Sequence, residues 1–136
     1  NIAYSSPRNE NDWTAAGGSG QLPTGFDLVQ LKPFRDTLFV FGGNSIKKVV
    51  SSSGANTPFV MEQVTANVGC VARDSVLELG GDLVFLAPDG LRPVAGTSRI
   101  GDVELETISK RIQPTISQLP ELYDLKDLCG CVIRNK

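Results

Sequence analysis

Histidine is absent from the 136 residues of this chain. That removes the commonest general base, a frequent metal ligand and the side chain that titrates near neutral pH. Clustered positive charge is missing too. Thirteen Lys and Arg stand against 15 Asp and Glu, a formal net charge of −2. Lys47-Lys48 and Arg92 are too short to form the basic face that nucleic-acid binding needs, and they read as solvated charges. No apolar run approaches the ~18 residues of a membrane-spanning helix. Asn1-Ile2-Ala3-Tyr4-Ser5-Ser6 carries no initiator Met and no basic or apolar leader region, so it does not read as a signal peptide. It reads as a strand cut from a longer chain. Leu128–Arg134 likewise reads as a strand without a terminator.

Cysteine is scarce and unpaired in pattern. Cys70 stands alone, and Cys129-Gly130-Cys131 is a C-x-C rather than a C-x-x-C. Two residues this close on a strand face the same way but sit awkwardly for a disulfide. Without a second Cys or His cluster, zinc is not expected. No cofactor or metal is expected, and no residue is assigned to catalysis. The thiols read as buried or idle and reduced, which fits assembly inside a cytoplasm.

What is present is β-pattern. Residues 1–6 alternate as a strand. Pro7–Trp13 reads as a polar loop pinned by Trp13 as a core anchor, and Ala15–Gly25 as a Gly-rich loop. A strand comes next over Phe26–Leu31, with Phe26, Leu28 and Leu31 inward, and then a turn over Lys32–Asp36. Thr37–Phe41 and Ile46–Val50 form a hairpin around Gly42-Gly43-Asn44-Ser45, residues that accept positive φ. Pro58–Thr65 alternates, with Phe59 and Met61 on one side and Val60, Glu62 and Val64 on the other. Ser75–Leu79 precedes a second hairpin, Leu83–Leu86 with Leu91–Ala95. Leu105, Ile108, Ile112 and Ile116 then favour a short helix near Thr107–Arg111, ending before Pro114, with a further break at Pro120.

The two hairpins are related. Residues 39–49 lie over residues 84–94 at an offset of 45 with no gap. Val29-Gln30-Leu31 and Val76-Leu77-Glu78-Leu79 precede them and align with one residue inserted. A period of about 40–50 residues with three or four strands each is the signature of a propeller blade, since one small twisted sheet cannot bury both its faces alone. The expectation is an all-β chain, a partial β-propeller of about two blades with a short helix near the C-terminal part. Residues 1–25 form an edge strand and loop, 26–65 the first blade, and 66–136 the second blade, the helix and the start of the next strand. Two ordinary hairpins in a sandwich or barrel are the plainer alternative. Either way the open edges require more polypeptide.

The motifs Phe34-Arg35-Asp36, Asn44-Ser45-Ile46, Gly69–Ser75 and Ile108-Ser109-Lys110-Arg111-Ile112, between Phe34 and Pro114, resemble the propeller of the tail nozzle proteins (tail tubular protein B) of short-tailed bacteriophages. Phage stabilisation, or tail accessory, proteins carry a similar stretch. The resemblance implies a virion tail protein assembled in the host cytoplasm. It implies a ring of copies, a hexamer, contacting the tail adaptor and other tail proteins. DNA passes through such a ring without sequence-specific binding. Members are several times longer, so this chain is expected to be a fragment.

Each motif also has a plain physical task. Arg35 and Asp36 can cap a turn and reach a neighbouring sheet. Asn44-Ser45 suits an Asx-type turn. Gly69-Cys70 suits a tight backbone approach with a buried thiol. Two rival functions remain. An enzyme such as a glycosidase needs two carboxylates about 5–10 Å apart. The candidates Asp36, Asp74, Asp82, Asp89 and Asp102 sit mostly in turns, where Asp is favoured for backbone reasons. A binding module for a host surface glycan or protein needs an aromatic platform, for which Trp13 and Tyr123 are the candidates.

Overall fold

The structure is a computed structural model that describes residues 1–53, 58–79, 81–94 and 110–133. It is all-β, with three antiparallel sheets among these residues. β1 (Ile2–Tyr4) pairs with β2 (Gly20–Leu22). β3 (Leu28–Phe34), β4 (Thr37–Gly42), β5 (Ile46–Ser51) and β6 (Phe59–Thr65) form a four-stranded meander. β7 (Leu77–Leu79), β8 (Asp82–Ala87) and β9 (Gly90–Pro93) form a three-stranded one. Single turns of helix come after these at Lys110–Ile112, Gln113–Ile116 and Leu119–Leu122. Among the described residues no helix is long and apolar enough to cross a membrane.

The β-rich hairpins form where pattern placed them, because Thr37–Phe41 and Leu83–Leu86 are rich in branched and aromatic residues that suit a pleated surface. Side chains alternate, so each strand offers two faces. In the four-stranded sheet, Phe39, Phe41 and Ile46 look toward the three-stranded sheet. They meet Leu83, Phe85, Ala87 and Val94 in one buried cluster. The rings of Phe41 and Phe85 lie 5.5 Å apart and tilted by 53°, an aromatic contact that adds about 1 kcal/mol beyond area burial.

The other faces are covered differently. Leu38, Val49, Ser51 and Phe59 look away from the three-stranded sheet, toward Ile2, Tyr4 and Leu22 of the β1–β2 pair. There the Tyr4 and Phe59 rings meet edge-on at 5.1 Å. Phe26 packs on Gly42 closely enough that an added Cβ there would enter its ring. On the far side of the three-stranded sheet, Gly130 lies against Leu77, and its N–H donates to the Asp74 carbonyl at 3.1 Å. The molecule is thus a stack of four layers: the β1–β2 pair, the four-stranded sheet, the three-stranded sheet and the segment around Gly130.

Several expectations are corrected. The turn over Lys32–Asp36 is only Arg35-Asp36, since β3 runs on to Phe34 through Pro33. Pro33 is tolerated because β3 is an edge strand, where a missing N–H costs no ladder bond. Leu28 and Leu31 are more than a third exposed, while Val29 and Phe34 pack on the core. A register shift between Leu28 and Gln30 sets Leu28 opposite Gly42 and Leu31 opposite Val40, so both lie on the face turned away from the cluster. None of Gly42, Gly43, Asn44 and Ser45 adopts positive φ; among the described non-glycine residues Arg8, at φ 65°, and Arg35, at φ 54°, do. The loop Ala15–Gly25 contains a 3-10 turn at Ala15–Gly17 and all of β2. Trp13 is no core anchor, being 59% exposed. The loop is held instead by Asp12, whose Oδ1 accepts from the Thr14 N–H at 2.9 Å and its hydroxyl at 2.7 Å.

The helix does not stop before Pro114. That residue lies within Gln113–Ile116, and Pro120 opens Leu119–Leu122 rather than breaking the chain, because a first-turn proline forfeits no intrahelical bond. Thr107–Ser109 of the expected helix, and Ala95 at the end of the second hairpin, lie outside the described residues. Among residues 128–133 the expected strand reduces to one bridge between Asp74 and Cys129.

At Gly69 main chain meets main chain with no room for a side chain. A Cβ there would collide with the Gly42 carbonyl oxygen, the Gly43 carbonyl carbon and the Asn44 nitrogen, all backbone. Gly69→Ala is therefore expected to cost about 3 kcal/mol, read as a lower denaturation midpoint. Gly43→Ala, in open space, is expected to change the midpoint far less.

Candidate functional site

The segment Gly69–Ser75 joins the two large sheets. The Cys70 N–H donates to the Gly42 carbonyl at 2.8 Å, and the Val71 N–H donates to the Leu86 carbonyl at 2.9 Å. The Ser75 hydroxyl donates to the Ala72 carbonyl at 2.7 Å and accepts from the Leu86 N–H at 3.1 Å. Cys70 Sγ lies 3.0 Å from the Ala72 oxygen, fully buried. Successive residues thus clamp the end of β4 to the end of β8. Burial pushes the Cys70 thiol up, against the smaller opposing effect of its hydrogen bonds. Cys129 and Cys131 are exposed.

At the opposite ends of the same strands a second contact forms. The Arg35 guanidinium donates to the Gly81 carbonyl at 3.1 Å and stacks over the Phe34 ring at 5.1 Å. This is the reach to a neighbouring sheet expected of Arg35. A recess of about 340 Å³ opens there, lined by Arg35, Phe39, Lys48, Asp82 and Val94. Lys48 is paired with Glu62 at 3.1 Å.

The register of the two meanders is the same under the 45-residue offset. Phe41 pairs with Ile46 as Leu86 pairs with Leu91. Phe34 pairs with Thr37 as Leu79 pairs with Asp82. The turn Arg35-Asp36 therefore corresponds to 80–81, and no inserted residue is needed ahead of the hairpins, unlike the sequence alignment of Val29–Leu31 with Val76–Leu79. The faces that meet are not equivalent. Leu83, Phe85, Ala87 and Val94 correspond to Leu38, Val40, Gly42 and Val49, yet they pack against Phe39, Phe41 and Ile46.

The charged candidates are dispersed. Asp36 lines the groove toward β1–β2, whereas Asp82 lines the recess between the large sheets. Asp74 lies near Arg73, with 3.9 Å between them. Asp89 accepts from Arg92 Nε at 2.8 Å, with a second contact through Nη2. Asp102 lies outside the described residues. Among the described residues no cluster of His, Cys, Asp or Glu is placed to hold a metal ion. Arg92 is not a solvated charge, being only 8% exposed. Its offset counterpart Lys47 donates to the Thr24 carbonyl at 2.6 Å and sits 5.5 Å from the Phe26 ring. Lys47 thus reaches across to the layer before its sheet, while Arg92 is held within its own hairpin by Asp89; the basic-patch pattern alone signalled neither role.

Of the aromatic candidates, Trp13 borders a recess lined by Ala3, Tyr4, Gly20 and Gln21, and Tyr123 is also exposed. Compared with known proteins, the chain matches no protein-family model and no curated protein.

The Arg92 hydrogen bond holds the Asp89 carboxyl below its ordinary value near 3.8, against a smaller opposing effect of burial. Its stabilising contribution is therefore complete above that ordinary value and is lost as pH falls through the lowered one. Asp89→Asn is expected to cost about 1 kcal/mol at neutral pH, because the carboxylate is half exposed and screened. It is also expected to flatten this part of the acid limb in pH-dependent denaturation. In thiol labelling, Cys129 and Cys131 react in the native protein, whereas Cys70 reacts only on unfolding.

Proposed function

We propose that this chain is a structural segment of a ring of stacked sheets, a partial β-propeller of about two blades, in the tail nozzle of a short-tailed bacteriophage. The observation that carries the reading is the pairing of unlike faces. Two sheets related by a two-fold axis bury the same face of each. Here the same register recurs 45 residues on, while one face of the first meander meets the opposite face of the second. Equivalent turns lie side by side, through Arg35 and Gly81. Face-to-back stacking of aligned sheets is the geometry of successive blades about an axis. The phage assignment rests on the sequence motifs Phe34–Asp36, Asn44–Ile46, Gly69–Ser75 and Ile108–Ile112. In this reading the turn carboxylates shape backbone and bind neighbours. With a net charge of −2, DNA is guided through a channel rather than held.

The exposure of Trp13 beside its recess favours one second reading, a propeller-type module that stacks on a host surface glycan. Gold-labelled antibody against this chain, applied to purified phage particles, tests the first reading. Label at the tail tip, in rings seen by electron microscopy, is the expected result. Particles that carry no label overturn the nozzle assignment. Specific signal on a glycan array, lost in Trp13→Ala, supports the second reading.

A further inference from the structure

The two equivalent hairpin turns each place a side-chain carbonyl before a small residue: Asn44-Ser45 lies over Asp89-Gly90 at the 45-residue offset. In such a pair the amide nitrogen of the second residue can attack the side-chain carbonyl carbon of the first, because a small follower leaves the approach open. No other Asn in the chain precedes Gly, Ala or Ser, and no other Asp precedes Gly. The fold treats the two pairs oppositely. The Asp89 carboxylate is held by Arg92, accepting from Nε at 2.8 Å, and Gly90 is paired with Ala87 across its hairpin. Asn44 is exposed, and among the described residues nothing holds its side chain. The Ser45 N–H likewise donates to no described group. The acceptor across the turn, the Gly42 carbonyl, is taken by the Cys70 N–H at 2.8 Å. Gln63 reaches Ser45 only through the hydroxyl, at 3.5 Å. Nucleophile and carbonyl are therefore free to meet in one turn and restrained in the other.

We propose that Asn44 is a site of spontaneous deamidation, and that its isoaspartyl product releases the clamp at Gly69. The Ser45 nitrogen bonds to the Asn44 side-chain carbonyl carbon and gives up its proton. The carboxamide C–N bond breaks, and ammonia leaves with that proton. Water then opens the succinimide ring. Attack at the side-chain carbonyl gives aspartate, and attack at the main-chain carbonyl gives isoaspartate. Water is the only co-reactant, and nothing is oxidised or reduced. In the iso form the main chain runs through the former side chain and is one methylene longer between Asn44 and Ser45. The turn has no slack for it. Gly69 stands against the Gly42 oxygen, the Gly43 carbonyl carbon and the Asn44 nitrogen. The Gly42 N–H closes the turn onto the Ser45 carbonyl at 2.9 Å. Ile46, just beyond, is fully buried in the core cluster. With Ile46 anchored, the added length is taken up in the turn and pushes it against Gly69, which breaks the bond from Cys70 to Gly42. This chemistry belongs to the turn itself and stands apart from the nozzle reading.

The test ages the native protein in mildly alkaline buffer beside two free peptides, residues 41–48 and 86–93. Mass spectrometry with electron-transfer fragmentation then distinguishes isoaspartate from aspartate at each position. Isoaspartate at position 44 is expected to accumulate in the native protein within about tenfold of the peptide's rate, because a turn without holding bonds opens at little cost. Asp89 is expected to isomerise far more slowly in the protein than in its peptide. The clamp is read by the rate at which Cys70 takes up a thiol label. That rate is expected to rise several-fold on ageing, in step with the isoaspartate fraction. Asn44→Gln, whose longer side chain closes the ring poorly, is expected to keep both its amide and the slow labelling of Cys70. Freshly prepared Asn44→Asp carries the charge without the extra methylene and is expected to label Cys70 at the unaged rate. An Asn44 that stays intact after its peptide has deamidated overturns the site. Isoaspartate at position 44 with Cys70 still labelling at the unaged rate overturns the release of the clamp, as does fresh Asn44→Asp that labels as fast as the aged chain.

Discussion

The approach of Gly69 to the Gly42–Asn44 backbone is the constraint on which the arrangement of the sheets depends. In each large sheet the strands are consecutive in sequence, and all but β5 and β6 are joined by turns of two or three residues. The ladders do not specify how one sheet sits on the next. That is set where Gly69 lets two stretches of main chain meet without a side chain between them. The neighbouring N–H groups of Cys70 and Val71 then bond the two sheets in succession. The hydrophobic cluster behind them is non-directional and tolerates many relative positions. Backbone hydrogen bonds at fixed geometry do not. Cys70, Ala72 and Ser75 fill the small space under the clamp, where a larger side chain would force the sheets apart.

Sequence carried the strands well and their ends poorly. The β4–β5 and β8–β9 hairpins were legible because dense apolar runs flank short polar turns. The reach of β3 through Pro33 was not, since the exclusion of proline from sheets applies to paired N–H positions and an edge strand leaves one side unpaired. Leu28 and Leu31 looked inward because both are apolar, yet the register shift between Leu28 and Gln30 sets them opposite Gly42 and Val40, on the face turned away from the Phe41–Phe85 cluster. Trp13 misled for a different reason: a lone large aromatic in a polar loop is usually buried, but the Asp12–Thr14 hydrogen bonds close this loop without it. The tight approach at Gly69 was anticipated. Its partner, the Gly42–Asn44 turn, stands far from it in the chain and leaves no local pattern that would pair the two.

The 45-residue offset gained meaning from a detail that no alignment contains. Matching hairpins in register are compatible with a sandwich, a barrel or a propeller. The identity of the opposed faces distinguishes a closed pair from an open series. Because Phe41 meets Phe85, the equivalent of Val40, the second sheet is displaced along a stack rather than turned over. Lys47 and Arg92 stand at equivalent positions with different partners: Lys47 donates to the Thr24 carbonyl of the preceding layer, and Arg92 to Asp89 of its own hairpin.

The consecutive order of strands within each sheet also bears on how the molecule forms. Hairpins such as β4–β5 and β8–β9 close loops of a few residues, and little chain entropy opposes them. The Gly42–Cys70 and Arg35–Gly81 contacts close far longer loops and need both meanders already in place. Sheets therefore form early as independent units, and their clamping comes late. Interactions made after the rate-limiting step govern the rate of unfolding rather than of folding. The Gly69–Ser75 clamp accordingly acts as a kinetic latch: it sets how long two assembled sheets stay together, more than how quickly they find each other.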